Sequence, residues 1–223
     1  MGVLTAIRRG ASSAHRNRPF ITDIGMDRRT EFTGALFEQW VAKTSNWLES
    51  EFGRELQLHM ELRAHWLWPV MVAALDELEG TFVPRDRADL VMRIGPEPDC
   101  DVPVLAINDH PMALPFTQHL PATHVDFFLE VRAGADVRGW GPAHDLPLID
   151  DGQRLWFADD LGHGLESTSA RVAVIVDDRP LRSADDIAMC TVTRWRSTDS
   201  LVIARDLNSI AGEQVTHTID LRG

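Results

Sequence analysis

The chain has 223 residues, 34 acidic against 22 basic for a formal charge of −12, and 44% of it is hydrophobic. That is enough apolar material to bury roughly 70% of the unfolded surface, which excludes a fibrous or wholly disordered chain. The negative field disfavours nucleic acid and anionic lipid as partners, and the longest apolar-rich stretch, Trp66 to Leu75, is about half a membrane span.

Positive charge is densest near the amino end, at Arg8, Arg9, Arg16, Arg18, Arg28 and Arg29. Lacking interleaved aromatics, residues 1–18 read as a polar leader and not as a nucleic-acid arm. Pro19 to Ile24 and Arg29 to Phe32 read as two strands joined at the turn-forming Gly25 to Asp27, a first hairpin. Thr33 can cap the next segment, where Leu36, Phe37, Trp40, Val41, Trp47, Leu48 and Phe52 recur at helical spacing until Gly53 supplies the stop. The tryptophans of that stripe read as core, not as a cofactor platform. Lys43, the single lysine of the chain, reads as a solvated residue on the same helix.

Glu55 to Met60 alternates as a strand should, and Trp66 to Leu78 reads as a buried helix with Pro69 in its first turn and Gly80 at its stop. Thr81 to Val83, Leu90 to Ile94 and Val102 to Ile107 follow as short strands. This alternation predicts an α/β fold, a mostly parallel sheet flanked by helices. Pro111, Pro115, Pro121, Pro142 and Pro147 predict a loop-rich middle over residues 108–151, with one short element at Val125 to Arg132. Arg171 to Val176, Met189 to Val192 and Leu201 to Ala204 then read as buried strands, and Asp206 to Gly212 and Val215 to Ile219 as a closing helix and strand. The expected organisation is the leader followed by a single domain over residues 19–223.

Residues able to carry chemistry are scattered. Cys100 and Cys190 have no CxxC partner and read as free thiols, and Met1 to Gly10 lacks the apolar run of a signal peptide, so a cytoplasmic setting is expected. His119, His124 and Asp126 form an H-x4-H-x-D string with His110 nearby, residue types that suit zinc or iron. No fourth ligand is indicated, so hydrogen-bonded or surface histidines are the plainer reading and no metal is expected. Ser167, Ser169 and His163 lack the strained elbow of a serine hydrolase, and Cys190 falls inside an expected strand. Among the adjacent acids Asp150/Asp151, Asp159/Asp160, Asp177/Asp178 and Asp185/Asp186, the pair Asp177/Asp178 is best placed. It follows a buried strand, at the carboxyl edge where open α/β sheets bind ligands. No residue stands out as catalytic.

Thr33 to Gly53, TGALFEQWVAKTSNWLESEFG, with the strand and the helix HWLWPVMVAALDELEG after it, resembles the opening of acyl-adenylate-forming (AMP-binding) enzymes. WVAKTSNWL and PATHVDFFLEVRAGAD, residues 121–136, are similar to a small actinobacterial family of shorter proteins related to those enzymes. The likeness runs through most of the chain and is best between Pro19 and Val83. It implies an α/β fold like the amino-terminal part of an adenylate-forming enzyme.

Activity does not carry over with it. Those enzymes grip ATP with a Ser/Thr/Gly-rich loop ending in lysine, because backbone amides and a cation must offset several negative charges. The nearest counterpart, Gly162 to Ala170 (GHGLESTSA), has Glu166 where the anion would sit and is followed by Arg171, not lysine. The resemblance also implies an adenylation lysine in a carboxy-terminal domain, expected to be absent here, and Lys43 cannot replace it. The expectation is a vestigial, non-catalytic relative acting as a binding or interaction module, with no cofactor. The alternatives are a protein that retains an acyl or nucleotide pocket without those lysines, and a structural partner in a larger assembly. Homo-oligomerisation through the tryptophan-rich helices stays open.

Overall fold

The computed structural model describes residues 15–25, 28–97, 100–110, 112–139, 145–157, 171–176, 179–181 and 200–222. The hairpin is present: β1 (Pro19–Ile24) pairs antiparallel with β2 (Arg29–Thr33). Helix α1 (Gly34–Phe52) starts at Thr33, whose Oγ1 accepts from the Leu36 amide at 3.2 Å. Two further amides of its first turn, those of Gly34 and Ala35, donate to the carbonyls of His15 and Arg16 at 2.8 and 3.2 Å. The end of the leader therefore satisfies groups that every helix start leaves open. At the other end Gly53 takes φ +83°, and its amide donates to the Glu49 carbonyl at 3.0 Å.

The chain continues through β3 (Gln57–Glu61), α2 (Leu67–Glu77), β4 (Thr81–Phe82), β5 (Leu90–Ile94), β6 (Val104–Ile107), β7 (His124–Asp126) and α3 (Phe127–Ala133). Then come β8 (Pro147–Asp150), β9 (Leu155–Phe157), β10 (Arg171–Ile175), β11 (Ser200–Ala204) and β12 (His217–Asp220). The strands lie in two sheets. One runs β12-β10-β11-β1-β2 and is parallel except for β2; the other runs β7-β6-β5-β3-β4-β8-β9 and is parallel except for β9. The expected α/β class with mostly parallel pairing and flanking helices is what the chain adopts.

The sheets share one hydrophobic cluster, in which Ile21, Val174 and Ile203 of the first meet Leu58, Met60 and Leu105 of the second. Helix α2 is buried at every position from Leu67 to Leu75, as its unbroken apolar run requires. The aromatic stripe of α1 is core: Trp40 meets Trp66 edge-on at 5.2 Å, and Trp47 meets Phe127 at 6.2 Å. Gly80 is more than a helix stop. A Cβ there would stand 2.8 Å from the Leu56 carbonyl oxygen and 2.7 Å from Leu75 Cδ2.

Three expectations need correction. The middle segment is more ordered than its prolines suggest: a strand and a helix, β7 and α3, replace one short element, and β8 begins at Pro147, a position where no ladder amide is lost. Asp206 to Gly212 forms only a single 3₁₀ turn, Asn208–Ile210, because the Asp206 carboxylate takes the amides of Asn208 and Ser209 at 2.8 and 2.9 Å. The last strand begins at His217, not at Val215. The expected strand Met189 to Val192 lies outside the described residues. Among the described residues no helix is long and apolar enough to cross a membrane.

Candidate functional site

β3, β4, β5 and β8 run parallel and end side by side at Glu61, Phe82, Ile94 and Asp150, and a cleft of about 620 Å³ opens at these ends. This is the edge at which open α/β sheets take ligands. Strand alternation builds the walls: on β3, Leu58 and Met60 turn inward while His59 and Glu61 stay half-exposed. Met60, Trp68, Phe82, Val83, Ile149 and Leu181 supply apolar surface, and His59, Glu61, Arg85, Arg93, Asp150 and Asp151 the polar surface.

The charges in the cleft are largely paired with one another. Arg85, on a 3₁₀ turn after β4, bridges Glu61 and Glu97, the latter at 2.5 Å. Arg93 on β5 reaches Glu97 at 2.8 Å and stands 3.8 Å from Glu61. The hydrogen bond from Arg85, then that from Arg93, holds the Glu97 carboxyl below its usual range. Asp150 pairs with Arg87 at 2.7 Å, which with the Gly152 amide lowers its pKa.

Asp151 is held differently. It accepts from the amides of Gln153 and Arg154 at 2.9 Å each and from Trp156 Nε1 at 3.1 Å, and the two amides lower its pKa most. The Arg154 guanidinium lies over the Trp156 ring, 4.0 Å from its centroid. His59 Nδ1 sits 2.9 Å from the Val83 carbonyl, which can only accept, so in the neutral ring the proton is on Nδ1 and Nε2 is an acceptor. That Nε2 is 3.7 Å from Glu61.

A second polar group lies between the sheets and was not anticipated. Asp23 on β1 is 1% exposed; its Oδ2 accepts from the Trp66 amide at 3.1 Å, and its Oδ1 is 3.9 Å from Arg205. His65 is buried, with Nδ1 accepting from the Leu67 amide at 3.2 Å and Nε2 3.8 Å from Asp109. Asp109 also pairs with Arg63 and, at 2.7 Å, with Arg28. Burial pushes His65 down to about 4 against the opposing pull of Asp23 and Asp109. A neutral ring at the start of α2 is the result. A lone histidine beside tryptophan carries no pattern that could have revealed it.

The residues singled out from sequence fare unevenly. His124 Nε2 accepts from the Glu97 amide at 2.9 Å, and Asp126 caps α3, accepting from Leu129 and Phe116 amides at 3.2 and 2.6 Å. His119 is exposed, and His110 Nδ1 accepts from the Met112 amide at 3.2 Å. His124 and Asp126 are thus engaged by backbone, and among the described residues no three metal-type side chains converge. Lys43 is half-buried and also has backbone partners: its Nζ donates to the carbonyls of Arg132 and Gly134 at 3.1 and 2.7 Å, tying α1 to the end of α3. Cys100 is a free, half-buried thiol 3.5 Å from Arg85. Asp159/Asp160, Asp177/Asp178, Asp185/Asp186, Cys190 and the segment Gly162 to Ala170 lie outside the described residues.

No protein-family model and no curated protein matches the sequence. Solved structures do match the fold. An acyl-CoA synthetase of Brucella canis superposes with a TM-score of 0.72 at 13% identity, over 99% of this chain and 47% of that one. The anthranilate CoA ligase AuaEII, in complex with anthranoyl-AMP, gives 0.68 at 11% identity over 98% and 49%. The N-terminal domain of FACL13 from Mycobacterium tuberculosis gives 0.68 at 10% identity over 96% and 61%. The chain spans about half the length of the first two. At such identities the likeness is one of architecture: this chain has the fold of the amino-terminal domain of acyl-CoA synthetases and other AMP-binding enzymes.

Proposed function

We propose that the chain is a non-catalytic binding or interaction module on the adenylate-forming fold, with the cleft at the ends of β3, β4, β5 and β8 as its binding surface. The observation that carries this reading is the state of the cations. Among the described residues both guanidiniums lining the cleft, Arg85 and Arg93, are engaged by carboxylates, and Lys43 is engaged by two backbone carbonyls elsewhere. A triphosphate needs uncompensated positive charge and free amide donors, and here it would first have to break the pairs with Glu61 and Glu97. Pyrophosphate exchange across a panel of carboxylic acids, with calorimetry of magnesium-ATP, tests the proposal. Neither exchange nor binding heat is expected; ATP-dependent exchange with any acid overturns it.

A second reading, a retained acyl or nucleotide pocket that works without the family lysines, is supported by the position of the cleft on the carboxyl edge of the sheet. Thermal-shift screening with nucleotides, acyl-CoAs and divalent ions separates the two, because one reproducible stabiliser would favour the pocket. Co-purification of one stoichiometric protein would instead favour a subunit of a larger assembly. A single domain after the leader, in a reducing cytoplasm, belongs to the same proposal; the hydrophobic cluster common to both sheets and the free Cys100 support it.

A further inference from the structure

We infer that the cleft takes a small molecule carrying a protonated amine on an apolar body. This rests on reading the chain as a binding module and specifies what it binds. Among the described residues three carboxylates line the cleft, Glu61, Asp150 and Asp151, against two guanidiniums, those of Arg85 and Arg93. Among the described residues Asp151 is the carboxylate of this set with no guanidinium within ion-pair distance. Its partners are two amides and an indole N–H, which fix its direction and keep it ionised without neutralising it.

Acceptors are also in excess. In the neutral ring His59 Nε2 is a lone-pair acceptor with no hydrogen-bond donor among the described residues, whereas the guanidiniums of Arg85, Arg87 and Arg93 are already engaged. Arg93 Nε makes no hydrogen bond, but it is sealed from solvent 3.8 Å from Glu61 and offers a ligand nothing. An ammonium group brings three donors and no acceptor, the complement of such a surface, while an anion would face Asp151, and both described guanidiniums of the lining are held by carboxylates. Met60, Phe82, Val83, Ile149 and Leu181 provide apolar surface for the rest of the ligand. The chain's charge of −12 adds a long-range pull in the same direction.

Calorimetry on the full chain with hexylamine, 1-hexanol and hexanoate at pH 7 and low salt tests this, since the three share an apolar body and differ in head group. Hexylamine should bind about three- to fivefold more tightly than hexanol, as expected for one partly screened ion pair, with hexanoate weakest. Added salt should erode the preference. Asp151→Asn should bring hexylamine level with hexanol, and Asp151→Glu should keep the amine ahead, which separates loss of charge from loss of fold. Hexanoate binding as tightly as hexylamine, or an amine preference intact in Asp151→Asn, overturns the inference and leaves the module reading standing. Absence of binding by every probe also overturns it, and the pyrophosphate-exchange result then decides the module reading separately.

Discussion

Backbone groups hold the side chains of both Lys43 and His65. Replacing Lys43 by methionine keeps most of the stem and removes two charge-assisted bonds to carbonyls near the end of α3. The loss should be about 1–2 kcal/mol in urea denaturation. His65 gives a pH signature. Its folded value of about 4 lies below the ordinary 6.5, so between these the unfolded chain takes up a proton that the folded chain refuses. Stability is therefore full above the upper value and falls by about 3 kcal/mol in all as pH drops through this window. Melting temperature against pH should show the fall, and His65→Asn, which keeps an acceptor for the Leu67 amide, should flatten it; an unchanged slope would contradict the assignment. The singularity of Lys43 was legible in the sequence. Its partners were not, because they lie about ninety residues further along the chain.

At the scale of elements, Asp126 is a helix cap. Asp126→Ala removes acceptors from Leu129 and Phe116 and should cost about 1–2 kcal/mol, while a chelator should leave the melting temperature of the native chain unchanged. Gly80→Ala would press a methyl group on the Leu56 carbonyl, which cannot move without disturbing the start of β3, and should cost about 1–3 kcal/mol in denaturant titration. The hairpin, α1 and α2 were readable because Thr33, Gly53 and the apolar runs specify them locally. β8 and β9 were not, since Pro147 masks the first and the second is three residues long. The shortfall at Asp206 has the same origin: a side chain able to satisfy the next amides competes with the helix it was expected to start.

For the whole molecule, two sheets sharing one apolar cluster should melt together, and scanning calorimetry is expected to show one transition; two separate transitions would refute the single-domain proposal. That the strands divide between two sheets could not be read from periodicity, which reports faces and not neighbours. The cleft was half legible. Parallel strands predict a ligand edge, but among the adjacent acids the sequence favours Asp177/Asp178 over Asp150/Asp151. The ion pairs linking Arg85 to Glu61 and Glu97 join chain segments whose meeting only the fold reveals.

Because the carbonyls of His15 and Arg16 receive the opening amides of α1, the smallest fragment that keeps this helix must begin upstream of the first strand. A protease cutting just ahead of Pro19 would bare that turn and loosen Phe37, whose ring rests edge-on against Phe20 at 5.2 Å. Durable cleavage products should therefore retain His15.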